Sequence, residues 1–322
     1  MKVALCFIIN YEHVLNKEEI WKKWIQTNKD IINVYFFYKD ITKIKSQWIR
    51  EHALPQNQCS YNTSYLHVIP AYISLMNYAF NHDKGNLWFS FLTDSCCPII
   101  SPRRFRYLFF NNYSKSVMKW CKAWWNPQFH KRANLMLLPE EFRLANDPWF
   151  VLKREDVQSC INYIRSNPVL VKTICNGGLA NESLFAIILY SCNKLQNVLC
   201  ESTHATDWSR MASSTSPYLF SHKCDRDIQF IEKMLRQNEY TMFVRKIAVE
   251  FPDDVLEYYI YEYSKEKDKK LVIQHPYIFF RILNVLSSVW FCFLCGLLIY
   301  ALRFLIFYPR IRKGFSCGSR CL

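Results

Sequence analysis

The chain has 322 residues, 51% of them hydrophobic and 17% aromatic, which argues against a disordered chain and allows one large α/β domain or two modest ones. Glycine is scarce, at 6 residues, and no GxxxxGK[ST] or GxGxxG sequence occurs, so glycine-rich phosphate loops are not expected. The net charge of +14 favours anionic partners, but Lys and Arg are spread along the chain without the dense basic block of a nucleic-acid arm, and no nucleic-acid partner is expected.

Residues 3–9 form an apolar run too short for a signal peptide and followed at once by polar residues. They read as a first strand covered on both faces. In 16–26, Ile20, Trp21, Trp24 and Ile25 fall at helical spacing, with Asn16 placed to cap and Glu19 three residues on. Residues 32–38 make a second strand closed by Lys39-Asp40, completing a strand–helix–strand unit. A helix with an apolar stripe is expected over 65–81, and a third strand over 87–92, ending in Thr93-Asp94-Ser95-Cys96-Cys97-Pro98. Ser101 caps a helix with Pro102 at its first position, running to Phe110. Further on come a strand at 149–152, a helix at 154–165, another at 181–190 and a closing segment at 242–247. The expectation is an α/β domain with a mainly parallel sheet over residues 1–260.

A charged linker follows at 261–281. Residues 282–302 then carry no charge over 21 positions, which as a helix rise about 31 Å, the thickness of a bilayer core. Arg281 and Arg303 bracket the segment, and Tyr300, Phe304, Phe307 and Tyr308 gather near its end. A buried core helix would show a polar face, and here only Asn284, Ser287 and Ser288 are polar. The reading is a single-pass C-terminal membrane anchor in the lipid bilayer, followed by a basic, Cys-containing tail at 303–322. Basic residues on both sides leave the orientation of the main domain open. Fourteen cysteines are present, without a zinc-ligand spacing outside the apolar segment.

Several short segments share an order with a known family. Residues 88–99 (WFSFLTDSCCPI) resemble "FxLLSESCIPL", and 147–154 (DPWFVLKR) resemble "KGSQWFxLxR". Residues 181–185 (NESLF) stand where the pattern has "DEHYF", 206–210 (TDWSR) resemble "VDWSRG", and 243–247 (FVRKI) resemble "FARKF". The opening strand, the Trp21 helix and the strand ending at Asp40 resemble its start. The family is that of the core-2/I-branching β-1,6-N-acetylglucosaminyltransferases, with its plant and viral relatives. The resemblance implies a GT-A-like α/β fold and an inverting, metal-independent transfer of N-acetylglucosamine from a UDP-sugar to a hydroxyl of a glycan or glycoprotein acceptor. No cofactor and no metal are expected, and no DxD motif follows an apolar strand. Asp147-Pro148 replaces the usual Gly-Ser, Asn181 an aspartate and Ser183 a histidine, which leaves donor and acceptor identity open.

An inverting transfer needs a carboxylate to take a proton from the attacking hydroxyl and positive charge to stabilise the leaving diphosphate. By resemblance Glu182 is the catalytic base, although an acid at a helix start also complements the dipole. Lys246 matches the family's phosphate-contacting lysine, with Arg245 and Arg210 as alternates, since the second phosphate-binding arginine falls near Leu219 without a match. Asp40, at the end of the second strand, stands where open sheets bind nucleotides. Trp208 and Trp149 are candidate sugar platforms and Asp94 and Ser95 candidate acceptor contacts; core packing and loop shape are their plain alternatives. The competing function is a non-catalytic membrane-anchored protein that keeps the glycosyltransferase fold.

Overall fold

The computed structural model describes residues 1–9, 12–60, 62–213, 215–271 and 297. The N-terminal apolar run is strand β1 (Lys2–Ile8), with Val3 through Phe7 fully buried. It is followed by α1 (Glu18–Gln26), β2 (Ile32–Phe37), the short α2 (Gln47–Glu51), α3 (Ile69–His82) and β3 (Asn86–Thr93). Next come β4 (Cys97–Pro98), α4 (Pro102–Asn112), β5 (Trp120–Lys122), β6 (Leu144–Asn146) and β7 (Val151–Lys153). The chain continues through α5 (Arg154–Ser166), α6 (Pro168–Cys175), α7 (Leu184–Ser191), β8 (His204–Thr206), α8 (Asp225–Gln237), β9 (Phe243–Arg245) and α9 (Asp253–Tyr258).

The main sheet has the order β2-β1-β3-β7. Its first three strands are parallel, and β7 runs antiparallel to β3, with Phe89 opposite Leu152. Burial on both faces explains why β1 reads as an unbroken apolar run. Alternation along the strand sends its side chains into two layers. Ala4 and Cys6 join a core that α3, α5 and α7 complete with Tyr72, Leu75, Cys160 and Phe185. Phe7 packs edge-on against Trp21 of α1, with ring centroids 4.9 Å apart. Trp21 and Trp24 are buried, and both indole nitrogens donate to carbonyls, of Cys96 at 2.9 Å and Ile100 at 2.8 Å. A buried indole needs such a partner, so α1 is fixed on the segment that leads into α4. A second sheet, β4-β9-β8, sits beside the first, and β5 pairs with β6.

Several elements differ in detail from the sequence reading. Ser101 does cap α4, accepting from the Arg104 N–H at 3.0 Å. Asn16 does not cap α1: Lys17 holds that position, and the Asn16 amide donates to the Ile247 carbonyl at 2.7 Å. Lys17 is 5% exposed, and its ammonium donates to the carbonyls of Val249 and Phe251 and pairs with Asp253 at 2.7 Å. The expected helix at 65–81 starts at Ile69, because Ser64 and His67 bridge to one another first. The expected helix at 181–190 starts at Leu184, so Glu182 belongs to a separate 3₁₀ turn, Ala180–Glu182. Met1–Val272 cluster as one compact unit. Apart from Leu297, the apolar segment 282–302 lies outside the described residues, and among those residues no helix is long and apolar enough to cross a membrane.

Candidate active site

The C-terminal ends of β1, β2 and β3 open into a cleft of about 640 Å³. Parallel strands commonly place ligands at this edge, where loops diverge and backbone groups are left unpaired. Ile8, Phe37, Thr93, Asp94 and Ser95 line one side. Asn181 and Glu182 line another, and Trp208, Arg245 and Lys246 complete the rim.

Arg245 and Lys246 arrive at the end of β9, which is anchored between β4 and β8. The Arg245 guanidinium donates to the hydroxyls of Thr93 and Ser95, the second at 3.0 Å, and lies 4.2 Å from the centre of the Trp149 ring. Its Nε is buried with no hydrogen-bond partner among the described residues. The Lys246 ammonium donates to the Ser216 hydroxyl at 3.2 Å. Burial and then the neighbouring Arg245 charge push its pKa below the usual lysine range, with Asp94 opposing them. Among the described residues neither cation forms an ion pair with a carboxylate. Two adjacent cations without a carboxylate in direct contact, with Asp94 acting on Lys246 from further off, are chemistry suited to an anion.

Glu182 is carried by a tight local structure. Leu179 adopts a left-handed conformation (φ 58°), after which the Glu182 N–H donates back to the Leu179 carbonyl at 2.9 Å. Asn146 of β6 staples the turn from beneath, donating to the Asn181 carbonyl at 2.9 Å and accepting from the Ala186 N–H at 3.2 Å. Burial raises the Glu182 pKa above the ordinary carboxylate value; Arg132, with Nη1 3.6 Å from its carboxylate, lowers it, and Asp147 adds to the rise. Such an environment suits a proton acceptor working near neutrality.

Glu182, Lys246, Arg245, Trp208, Trp149, Asp94 and Ser95 all line the cleft. Within it, Trp149 is 6% exposed and its face is covered by Arg245, and the Ser95 hydroxyl accepts from Arg245, so both brace the cation. Trp208 presents an open ring, 41% exposed. Asp40 and Arg210 are not brought to the cleft lining. Asp40 accepts from the N–H and hydroxyl of Thr42, which hold its pKa below the usual value, and it thereby caps the turn at Ile41–Lys43. Arg210 bridges the buried carboxylates of Asp207 at 2.6 Å and Asp227 at 2.7 Å and covers the Tyr218 ring at 3.7 Å. Two buried acids hold that guanidinium and tie the 207–210 loop to α8, while its Nη2 is buried with no hydrogen-bond partner among the described residues. Sequence reasoning missed Arg132 and the hydroxyl groups of Thr93 and Ser216. Among the described residues no group of three or more His, Cys, Asp and Glu side chains is placed to hold a metal ion.

The profile of the Core-2/I-Branching enzyme family matches residues 15–235, more than half of the chain. A comparison with curated proteins gives no match. Glu182 falls inside the matched span, whereas Arg245 and Lys246 lie beyond it and enter on their geometry. The family is one of glycosyltransferases, which implies a nucleotide-sugar donor and a glycan acceptor. On the profile match, with a carboxylate and a cation pair at the edge of a mainly parallel sheet, the chain belongs to the Core-2/I-Branching enzyme family of glycosyltransferases.

Proposed function

We propose that the cleft takes a UDP-sugar and transfers its sugar, N-acetylglucosamine by the resemblance, to a glycan hydroxyl with inversion and without a metal ion. The observation that carries this reading is the pair Arg245 and Lys246, neither in a salt bridge among the described residues, in one cleft with the half-buried Glu182. In the reaction the acceptor oxygen attacks the anomeric carbon as the bond from that carbon to the diphosphate oxygen breaks. Glu182 takes the hydroxyl proton, and Arg245 and Lys246 meet the charge that develops on the departing UDP. Trp208 and Asp94 serve the acceptor side, Trp149 and Ser95 keep Arg245 in place, and Asp40 and Arg210 have no part in donor binding.

The test is a panel of UDP-sugars offered to the full chain in detergent, with EDTA present. Turnover of one donor that survives chelation is the expected result. Tight UDP binding without transfer to any acceptor and without hydrolysis supports instead a non-catalytic protein with the same fold. Turnover that stops on chelation and returns with a divalent cation removes the metal-independent part of the reading.

The reading includes a membrane anchor formed by residues 282–302, on the strength of their length and lack of charge. Alkaline carbonate extraction of membranes carrying the full chain is expected to leave it in the pellet. Release of the intact chain to the supernatant excludes a spanning segment.

A further inference from the structure

The segment around Arg132 was not legible as part of the site, and its construction is unusual. Residues Arg132–Leu137 form a 3₁₀ stretch interrupted by two residues in the left-handed region, Ala133 (φ 50°) and Asn134 (φ 50°). Neither is glycine, so surrounding contacts must hold the conformation. Contacts that hold it come from α6 and from the α6–α7 connection, the stretch that also carries Glu182. The Ala133 N–H donates to the Gly178 carbonyl at 2.9 Å, and the Asn134 amide donates to the Thr173 carbonyl at 2.7 Å. Gly177 packs so closely beneath that a Cβ there meets the Asn134 backbone nitrogen at 2.3 Å. The two chain segments are thus clasped backbone to backbone, and no side chain fits between them. Arg132 stands at the start of this clasp. Its guanidinium lies 5.4 and 5.3 Å from the ring centres of Trp124 and Trp125 and reaches the Glu182 carboxylate at 3.6 Å.

We propose that Arg132 is a positioning residue for the general base: it holds the Glu182 carboxylate in orientation and keeps it anionic within the cleft. The proposal rests on Glu182 being the base, and it gives the clasp at Gly177 a purpose. The paired turns fix the distance between the guanidinium and the carboxylate, and the two indoles limit where the guanidinium can swing. The charged and titratable groups that act on Glu182 from the elements around it are Arg132 and Asp147, and the Tyr72 hydroxyl of α3 is coupled to it. Asp147 disfavours the anion, so Arg132 is the one cation among these three that opposes burial. Without it, Glu182 takes up a proton at a higher pH and a smaller fraction is competent as a base at neutrality.

The experiment is the pH dependence of kcat/KM for the full chain and its Arg132→Met and Arg132→Lys variants. The titration of Glu182 is read separately, as the carboxyl band in infrared difference spectra against Glu182→Gln. Arg132→Met keeps an apolar stem against the indoles and removes the charge. Its acidic limb and its carboxyl titration are expected to move up by about one pH unit, the lower end of the effect of one opposite charge at this range. UDP affinity is expected to stay within about twofold, which also reports folding. Arg132→Lys is expected to keep the parental limb. If Arg132→Met does not fold, Asn134→Ala, which loosens the clasp but leaves the charge, is expected to move the titration in the same direction by less. An unchanged carboxyl titration in folded Arg132→Met overturns the proposal. Absence of turnover in the parent strikes the transferase reading, and the infrared titration still decides the role of Arg132.

Discussion

Glu182→Gln lowers kcat for sugar transfer by about 10²–10⁴-fold, the range spanned by a positioned general base, while UDP affinity stays within about twofold of the parent. The amide keeps the shape of the side chain and the tight turn at Ala180–Glu182 but cannot accept the proton. Affinity is expected to be spared because Arg245 and Lys246, the groups proposed to meet the diphosphate, come from another part of the chain. The variant also carries a stability signature. The folded carboxyl titrates above its ordinary value because of burial, so the protonated form is the one that folding favours. Its contribution is present at low pH and lost as pH rises through the raised value, and at neutral pH the anion opposes folding. Glu182→Gln is therefore expected to be at least as stable as the parent at pH 7, with no advantage near pH 4. Thermal unfolding at the two pH values, beside single-turnover transfer, checks both statements. A large loss of affinity together with kcat assigns Glu182 to donor binding instead.

The second large effect falls on the donor. Lys246→Met is expected to weaken UDP binding by about ten- to a hundredfold, the equivalent of one hydrogen bond to a charged group at about 1.5–3 kcal/mol. Arg245→Met is expected to lose at least as much, because it also frees the hydroxyls of Thr93 and Ser95 and uncovers the Trp149 ring. The wild-type affinity is expected to fall as pH rises. The Lys246 ammonium is held below its ordinary value by burial and by Arg245, so it loses its charge earlier as pH rises. UDP affinity is expected to decline on the alkaline side below the usual lysine range, and Lys246→Arg, which stays protonated, is expected to flatten that decline. Isothermal titration with UDP from pH 7 to 10 checks this. An affinity that is flat in both proteins removes Lys246 from the diphosphate.

Much of the sheet was legible because its strands are buried on both faces. Residues 3–9 and 87–92 have no polar alternation to confuse with a helix, and they became β1 and β3 nearly as read. The α4 start was legible because Ser101 and Pro102 are a local signal, needing no partner from elsewhere in the chain. The misplaced parts depended on tertiary partners or on backbone conformations that the local pattern does not show. Asn16 has the chemistry of a cap, but its amide is drawn to a carbonyl 231 residues away. Arg210 has the charge of a phosphate ligand, yet Asp207 lies three residues before it and Asp227 seventeen after. The i,i+3 spacing of Asp207 and Arg210 was a visible hint of their pairing. Glu182 was assigned to a helix because the apolar run behind it is continuous, whereas the turn that carries it depends on Leu179 in a left-handed conformation. Arg132 had no periodicity to mark it, and its partner lies fifty residues on in a separate turn.

The ties made by Asn16 and Lys17 bear on the order in which the protein is built. β1, β2 and β3 are complete once 93 residues have been synthesised, and they need nothing later to pair with one another. The loop after β1 meets Asp40 and Asp94 early, but the side chains of Asn16 and Lys17 close on carbonyls at 247, 249 and 251 and on Asp253. A nascent chain thus carries, through most of its translation, a central sheet whose exit loop is still open. In that interval the Lys17 ammonium keeps its water shell, and it sheds that shell only when the ribosome has delivered the last quarter of the domain. Contacts of this sequence separation form late and slowly, so the emerging chain is exposed to chaperones and to aggregation for as long as the β9 end is missing. A ribosome stalled before Arg245 leaves a chain with β1–β3 already made and neither half of the cation pair beside them.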